Sequence, residues 1–181
     1  MESAPNRRPA RFVEPGQERT THCFPMLDKA KKILKHVFGY DDFISLQAEA
    51  NASVLQGRDT LVIMPTGGGK SLCYQIPALI FENLTVVVSP LIALMKDQVR
   101  QLTENGVAAV FLNSSLSADE YRANLAALRQ KQARLLYVAP ETLLKPDMLH
   151  MLSAVGVDCL AIDEAHCISE WGMISGRSTA S

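Results

Sequence analysis

Five short apolar runs, residues 60–64, 84–89, 107–112, 134–139 and 157–163, follow one another from residue 60 onward, each rich in Val, Ile or Leu. The intervals 70–81, 92–105, 118–131 and 141–155 carry apolar residues at helical spacing instead. Runs so little interrupted by polar residues predict strands buried on both faces, and the helical intervals supply the cover. Alternation of this kind makes an α/β fold with a mostly parallel sheet flanked by helices, in which ligands sit beyond the carboxyl ends of the strands. The chemistry is therefore expected in the loops that follow each run.

The loop after the first run reads Met64-Pro-Thr-Gly-Gly-Gly-Lys-Ser71 and opens directly onto an apolar helical pattern. That is the context of a phosphate loop. Thr66, Gly67, Gly68 and Gly69 let backbone N–H groups converge on phosphate oxygens, Lys70 reaches the terminal phosphates, and the Ser71 hydroxyl is a ligand for magnesium. Met64 stands where the general pattern has glycine. A second site closes the last run, Leu160-Ala-Ile-Asp-Glu-Ala-His166. The strand delivers Asp163 to the carboxyl edge as a second magnesium ligand, and Glu164 beside it can polarise an attacking water. An Asp-Glu pair alone reads as a helix cap or solvated charge; about ninety residues after a phosphate loop in an alternating chain, it reads as hydrolytic.

Beyond these two sites the motifs carry a family resemblance. Asp163-Glu-Ala-His-Cys-Ile-Ser-Glu-Trp-Gly172 resembles the extended DEAH box of RecQ-family DNA helicases, and residues 64–78 resemble their first motif. Phe38-Gly-Tyr, Phe43 and Gln47 are similar to the family's nucleotide-recognition motif, and Ser89-Pro-Leu-Ile-Ala-Leu-Met-Lys-Asp-Gln98, Leu112-Asn-Ser114 and Tyr137-Val-Ala-Pro-Glu141 to the motifs that follow. The resemblance runs over about 29–172 in the family's order and implies a P-loop NTPase of RecA-like fold. It implies that Tyr40 stacks on adenine and Gln47 hydrogen-bonds its edge, that Lys70 and Ser71 hold phosphate and magnesium, and that Asp163 and Glu164 hydrolyse ATP. His166 would couple hydrolysis to movement. Pro90, Leu91, Asn113 and Pro140 would face the DNA backbone, and Trp171 would begin an aromatic loop that senses single-stranded DNA. The activity so implied is ATP-dependent 3'-5' DNA strand separation in recombination and repair. The alternatives are a catalytically silent ATP- or DNA-binding fragment and a DEAD-box-like RNA helicase; His166 and the extension after it favour DNA.

The chain departs from the family at stated places. Ile44-Ser45 replaces an Arg-Pro pair, and Asn51 replaces an apolar residue. After Gly172 the sequence Met173-Ile-Ser-Gly-Arg-Ser-Thr-Ala-Ser181 resembles nothing in the family, so the expected organisation is a leader over 1–25, a partial ATP-binding lobe over 26–172 and a non-family tail over 173–181. On that reading the sheet is incomplete at its C-terminal end, the second lobe's transition-state arginine is missing, and the chain is inactive alone and poorly stable or partner-dependent.

Composition sets the remaining bounds. With 48% apolar and 20% charged residues in 181, the chain has the balance of one soluble domain. No apolar run approaches the ~18 residues of a membrane span, and no signal peptide follows the N-terminal arginines; a cytoplasmic, bacterial-type and nucleoid-associated location with no membrane partner is expected. Cys23, Cys73, Cys159 and Cys167 form no C-x-x-C pair, so neither zinc nor a disulfide is expected. A net charge of -1 gives no basic footprint for nucleic acid. Lys29, Lys31, Lys32, Lys35 and His36 interleave with Ile33, Leu34 and Val37, the pattern of a solvated face on a helix over 26–38 that ends at Gly39; a second helix is expected over 46–55. Residues 1–25, with Pro5, Pro9, Pro15, Gly16 and Pro25 among arginines, have neither period and read as disordered. ATP, magnesium and single-stranded or duplex DNA are the expected partners, and contacts to a single-strand-binding protein would run only through C-terminal regions beyond this sequence.

Overall fold

The computed structural model describes residues 11–12, 25–44, 46–65 and 67–164. They divide into two compact units, Met1–Ile80 and Phe81–Ser181.

In the first unit, strand β1 (Arg11–Phe12) precedes helix α1 (Pro25–Phe38), helix α2 (Gln47–Leu55), strand β2 (Thr60–Leu61) and helix α3 (Leu72–Ala78). Helix α1 buries Ala30 and Leu34, one helical turn apart, and leaves its lysines in solvent. It ends where the periodicity says it should: Gly39 takes φ 77°, its N–H donates to Lys35 O and the Tyr40 N–H to Leu34 O, a closing turn that favours glycine. The expected strand over 60–64 is shorter than its apolar run. Only Thr60 and Leu61 find ladder partners among the described residues, Arg11 and Phe12 of β1, in parallel register. The period of two nevertheless persists through the run, with Val62 and Met64 turned to Ala50 and Cys73 while Leu61 and Ile63 are exposed. The two-residue β1 lies within the stretch that sequence periodicity leaves without structure. Helix α3 is likewise shorter than 70–81, because Pro77 has no N–H to continue it and the chain closes with Leu79 N donating to Ile76 O and Ile80 N to Pro77 O.

The second unit holds β3 (Leu84–Val88), α4 (Ile92–Glu104), β4 (Ala109–Leu112), α5 (Ala118–Arg129), β5 (Leu135–Val138), α6 (Pro140–Leu143), α7 (Pro146–Val155) and β6 (Val157–Ile162). Its four strands form one parallel sheet in the order β4-β5-β3-β6. All residues of β3 and β5 are buried, as their unbroken apolar sequences require. On one face Val86, Val88, Leu136 and Val138 pack with Leu128 of α5 and Met148, Met151, Leu152 and Val155 of α7; α4, with Met95 and Leu102 buried, lies against β4 and β5. Helix α5 starts with a full capping box, the Ser117 hydroxyl accepting from Glu120 N while Glu120 accepts from Ser117 N. The single helix expected over 141–155 is two. Lys145 precedes Pro146, and the proline ring forces it out of the helical region to φ -67°, ψ 134°, so α6 stops and α7 restarts with Pro146 in its first turn. Among the described residues strand β6 is one edge of the sheet and β4 the other, and Val157, Leu160 and Ile162 of β6 are exposed.

Candidate nucleotide site and carboxyl edge

The phosphate loop leaves β2 and enters α3 within the first unit. Met64, in place of the general pattern's glycine, is buried beneath the loop; its Cβ and Cε lie 3.5 Å from where a Cβ on Gly68 would stand. Gly67 and Gly69 hold φ 80° and 72°, conformations that L side chains rarely adopt. The Gly68 N–H donates to Pro65 O at 3.0 Å, and the helical bonds begin with Leu72 N to Gly69 O and Cys73 N to Lys70 O. Lys70 and Ser71, both half-buried, therefore stand at the start of α3 as the sequence implies. Thr66 lies outside the described residues.

Gln47 sits against this loop. It is 2% exposed, and both ends of its amide are engaged: Oε1 accepts from Ile44 N at 3.1 Å, and Nε2 donates to Gly69 O at 3.1 Å and Gly68 O at 3.4 Å. A Cβ on Gly69 would come within 2.2 Å of Gln47 Nε2. Gly69 is favoured by its backbone angle, and a side chain there would also displace the amide packed on it. Sequence reasoning marks Gln47 for adenine but gives no sign of this bond to the loop, because 22 residues separate the partners. Tyr40 is 57% exposed, an aromatic face open to stacking, as is Ile44 at the position where an arginine was expected. Asn51 is fully buried; its Nδ2 donates to Gln47 O at 2.8 Å while its Oδ1 has no hydrogen-bond partner. The basic stretch of α1 is partly neutralised, Lys31 Nζ lying 3.1 Å from Asp42 Oδ1 and Lys35 Nζ 2.9 Å from Asp41 Oδ1. Lys31 holds the Asp42 carboxyl below the usual range, helped by the Phe43 N–H. Cys73, on α3, has its thiol pushed up to about 11 by burial.

In the second unit the parallel register aligns the strand ends. Leu112 pairs with Val138, Val138 with Val88, and Val88 with Ile162, so Asn113, Ala139, Ser89 and Asp163 come next in one row along the carboxyl edge. Backbone bonds extend the row by one step: Ser89 N donates to Val138 O at 3.2 Å, Ala139 N to Leu112 O at 3.4 Å and Asp163 N to Val88 O at 2.9 Å. Pro90, Leu91, Asn113, Pro140, Asp163 and Glu164 are thereby gathered on one edge of one sheet. They differ in availability. Leu91 is 49% exposed and both prolines are half-buried, but Asn113 is 2% exposed and turned inward, its Oδ1 accepting from Ser115 N at 2.9 Å and Ser115 Oγ at 2.7 Å. Its Nδ2 is a buried donor with no hydrogen-bond partner. Ser89, which sequence reasoning did not single out, is also buried and accepts from Leu91 N through its hydroxyl. Glu164 takes φ 56°, uncommon for a non-glycine residue, with its N–H donating to Asp163 Oδ1 at 3.2 Å. His166 and Trp171 lie outside the described residues. Among the described residues no group of three or more His, Cys, Asp or Glu side chains gathers to hold a metal, and no helix is long and apolar enough to cross a membrane.

Known proteins are similar to this chain over most of its length. The family model described as DEAD/DEAH box helicase matches residues 44–178. The ATP-dependent DNA helicase RecQ of Pasteurella multocida is 51% identical over 151 residues, 83% of this chain and 24% of the relative. Its counterpart from Bacillus subtilis is 50% identical over 148 residues, 81% of this chain and 25% of the relative. The chain thus spans about a quarter of the length of these relatives. Among solved structures, the crystal structure of a hypothetical ATP-dependent RNA helicase from Sulfolobus tokodaii superposes with a TM-score of 0.61 at 26% identity, covering 82% of this chain and 44% of that one. The similarity at these two levels, with a phosphate loop and an Asp-Glu strand end in the family's order, places the chain in the DEAD/DEAH box helicase family.

Proposed function

We propose that this chain is part of the ATP-binding lobe of a RecQ-type DNA helicase, which binds ATP through 40–71 and turns hydrolysis into 3'-5' strand separation in recombination and repair. The observation that carries the reading is half identity to RecQ proteins over four-fifths of the chain, at a level twice that of the RNA-helicase structure. Lys70 supplies a positive charge to the terminal phosphates, and the glycines keep the loop free of side chains that would block the approach. Tyr40 offers its ring to adenine, and the Gln47 amide, now spent on Ile44 and the loop carbonyls, is the group that reads the base edge once released. Ser71 and Asp163 offer a hydroxyl and a carboxylate, hard oxygens that suit magnesium, which when bound neutralises phosphate charge. Glu164 takes a proton from the attacking water at its carboxylate, and the left-handed backbone at this position fixes where that carboxylate starts. Pro90, Leu91 and Pro140 present the sheet edge to the DNA backbone, Asn113 shaping the turn behind them; His166 and Trp171 relay hydrolysis and stack on single-stranded bases. On this reading the protein works at DNA, in a bacterial-type cytoplasm beside the nucleoid.

A second reading, a silent nucleotide-binding fragment, draws on the Gln47 bonds, which occupy the amide that adenine needs. Phosphate release from magnesium-ATP by residues 1–181, with and without single-stranded DNA and beside Lys70→Ala, separates the two. DNA-stimulated release abolished by the substitution supports a motor; ATP binding without release, lost in Lys70→Ala, supports the silent fragment; neither binding nor release overturns both.

A further inference from the structure

The segment that carries Tyr40 is short and largely exposed, yet it is held at its start by backbone bonds, in its middle by ion pairs from α1 and at its end by Gln47. At its start, Gly39 and Tyr40 close α1 through bonds to Lys35 O and Leu34 O. In its middle, Lys31 meets Asp42 at 3.1 Å and Lys35 meets Asp41 at 2.9 Å. Asp42 turns its remaining capacity onto the chain itself, Oδ1 accepting from Phe43 N at 2.9 Å. At its end, Ile44 N donates to Gln47, whose amide continues to Gly69 O. Lys31 and Lys35 lie one turn apart on α1, so both face the same stretch of backbone.

We propose that Lys31 and Lys35 are positioning residues for the nucleotide base, pinning Asp42 and Asp41 so that Tyr40 and the Ile44–Gln47–Gly69 connection keep one geometry relative to the phosphate loop. The inference rests on the ATP-site reading above. Neither lysine touches the nucleotide; each acts through an aspartate on the loop. Charged pairs this exposed are weak taken singly, but here they add to the bonds that hold a six-residue segment at its two ends and at Phe43 N. Their effect falls on the base and not on the phosphates, because the lysines bond to Asp42 and Asp41 beside Tyr40 while the phosphate loop is closed by its own backbone, Gly68 N donating to Pro65 O.

The test uses the 181-residue chain and two probes, magnesium-ATP and magnesium tripolyphosphate, which has no base. Binding is measured by calorimetry for the parent, Lys31→Met with Lys35→Met, and the charge exchange Lys31→Asp with Asp42→Lys. In the double methionine variant ATP binds roughly three- to tenfold more weakly while tripolyphosphate affinity is unchanged, and the charge exchange recovers most of the ATP affinity. Equal loss for both probes, or no loss for either, overturns the inference, since the first means a general disturbance of the unit and the second an inert surface pair. Failure of the charge exchange alongside a base-specific loss also overturns it, because the pairing would not be what matters. A parent chain that binds neither probe overturns the ATP-site reading itself, a result distinct from all of these.

Discussion

Lys70 and Gly69 stand side by side in the proposed phosphate loop, and the ATP-site reading asks different things of them. On that reading the lysine contributes charge: a hydrogen bond to a charged group is worth ~1.5–3 kcal/mol, so Lys70→Ala is expected to raise the Kd for magnesium-ATP roughly 10- to 100-fold, read by calorimetry. The glycine contributes space. Gly69→Ala would place a methyl 2.2 Å from Gln47 Nε2 at φ 72°, so the Gln47 amide must swing off the loop and the backbone angle is strained; binding of ATP and tripolyphosphate should both weaken, with a lower Tm, whereas full retention of both would mean the loop tolerates the methyl. Asn51 makes the opposite case. Its buried Oδ1 has no hydrogen-bond partner, a state that costs ~1–3 kcal/mol, and Asn51→Leu should therefore raise the Tm, by about 2–4 °C for each kcal/mol recovered. The spacing of the phosphate loop is local, so Lys70 and its glycines are legible in sequence. The Gln47 amide packed on Gly69 is not, since nothing in a linear pattern couples residues 22 apart.

Strands and helices follow the same division. Where an apolar run is flanked by its partners, as in β3 and β5, sequence and structure agree to within a residue or two. The ends are decided by neighbours and by proline: β2 keeps the alternation of its whole run but only two ladder residues, and Lys145-Pro146 splits one helix into two. That break was readable from the proline, whereas the ladder of β2 was not. The start of β6 is held by a contact no periodicity announces, Asp158 accepting from Asn83 N at 2.8 Å and from Asn83 Nδ2 at 3.0 Å. These bonds from Asn83 hold the Asp158 carboxyl below its ordinary value. A group whose folded pKa is depressed adds stability above its unfolded pKa and loses it as pH falls through the folded one. Stability should accordingly decline as the pH drops below about 4, and the decline should be shallower in Asp158→Asn. An unchanged slope in a urea titration across that range would assign the acid sensitivity to other carboxylates.

For the whole molecule the decisive feature is the exposed edge of the parallel sheet. Parallel strands are normally covered on both faces, yet β6 leaves Val157, Leu160 and Ile162 at 41%, 57% and 43% exposure. Past Asp158 the strand, residues 159–162, carries no charge and no proline, the devices that usually keep such an edge from pairing with other chains. Leu160 and Ile162 are register partners of Val86 and Val88, so they extend the core face beyond the helices that cover it. Alone in solution, the 181-residue chain should therefore self-associate at micromolar concentration, and its thermal transition should be broad and concentration-dependent. Leu160→Lys tests the cause. The side chain is already more than half in solvent, so charging it removes little buried area and should leave the onset of unfolding unchanged, while light scattering falls and the transition sharpens. Scattering that persists in Leu160→Lys, or a parent chain that is monomeric and melts in one sharp step, would place the weakness elsewhere than the β6 edge.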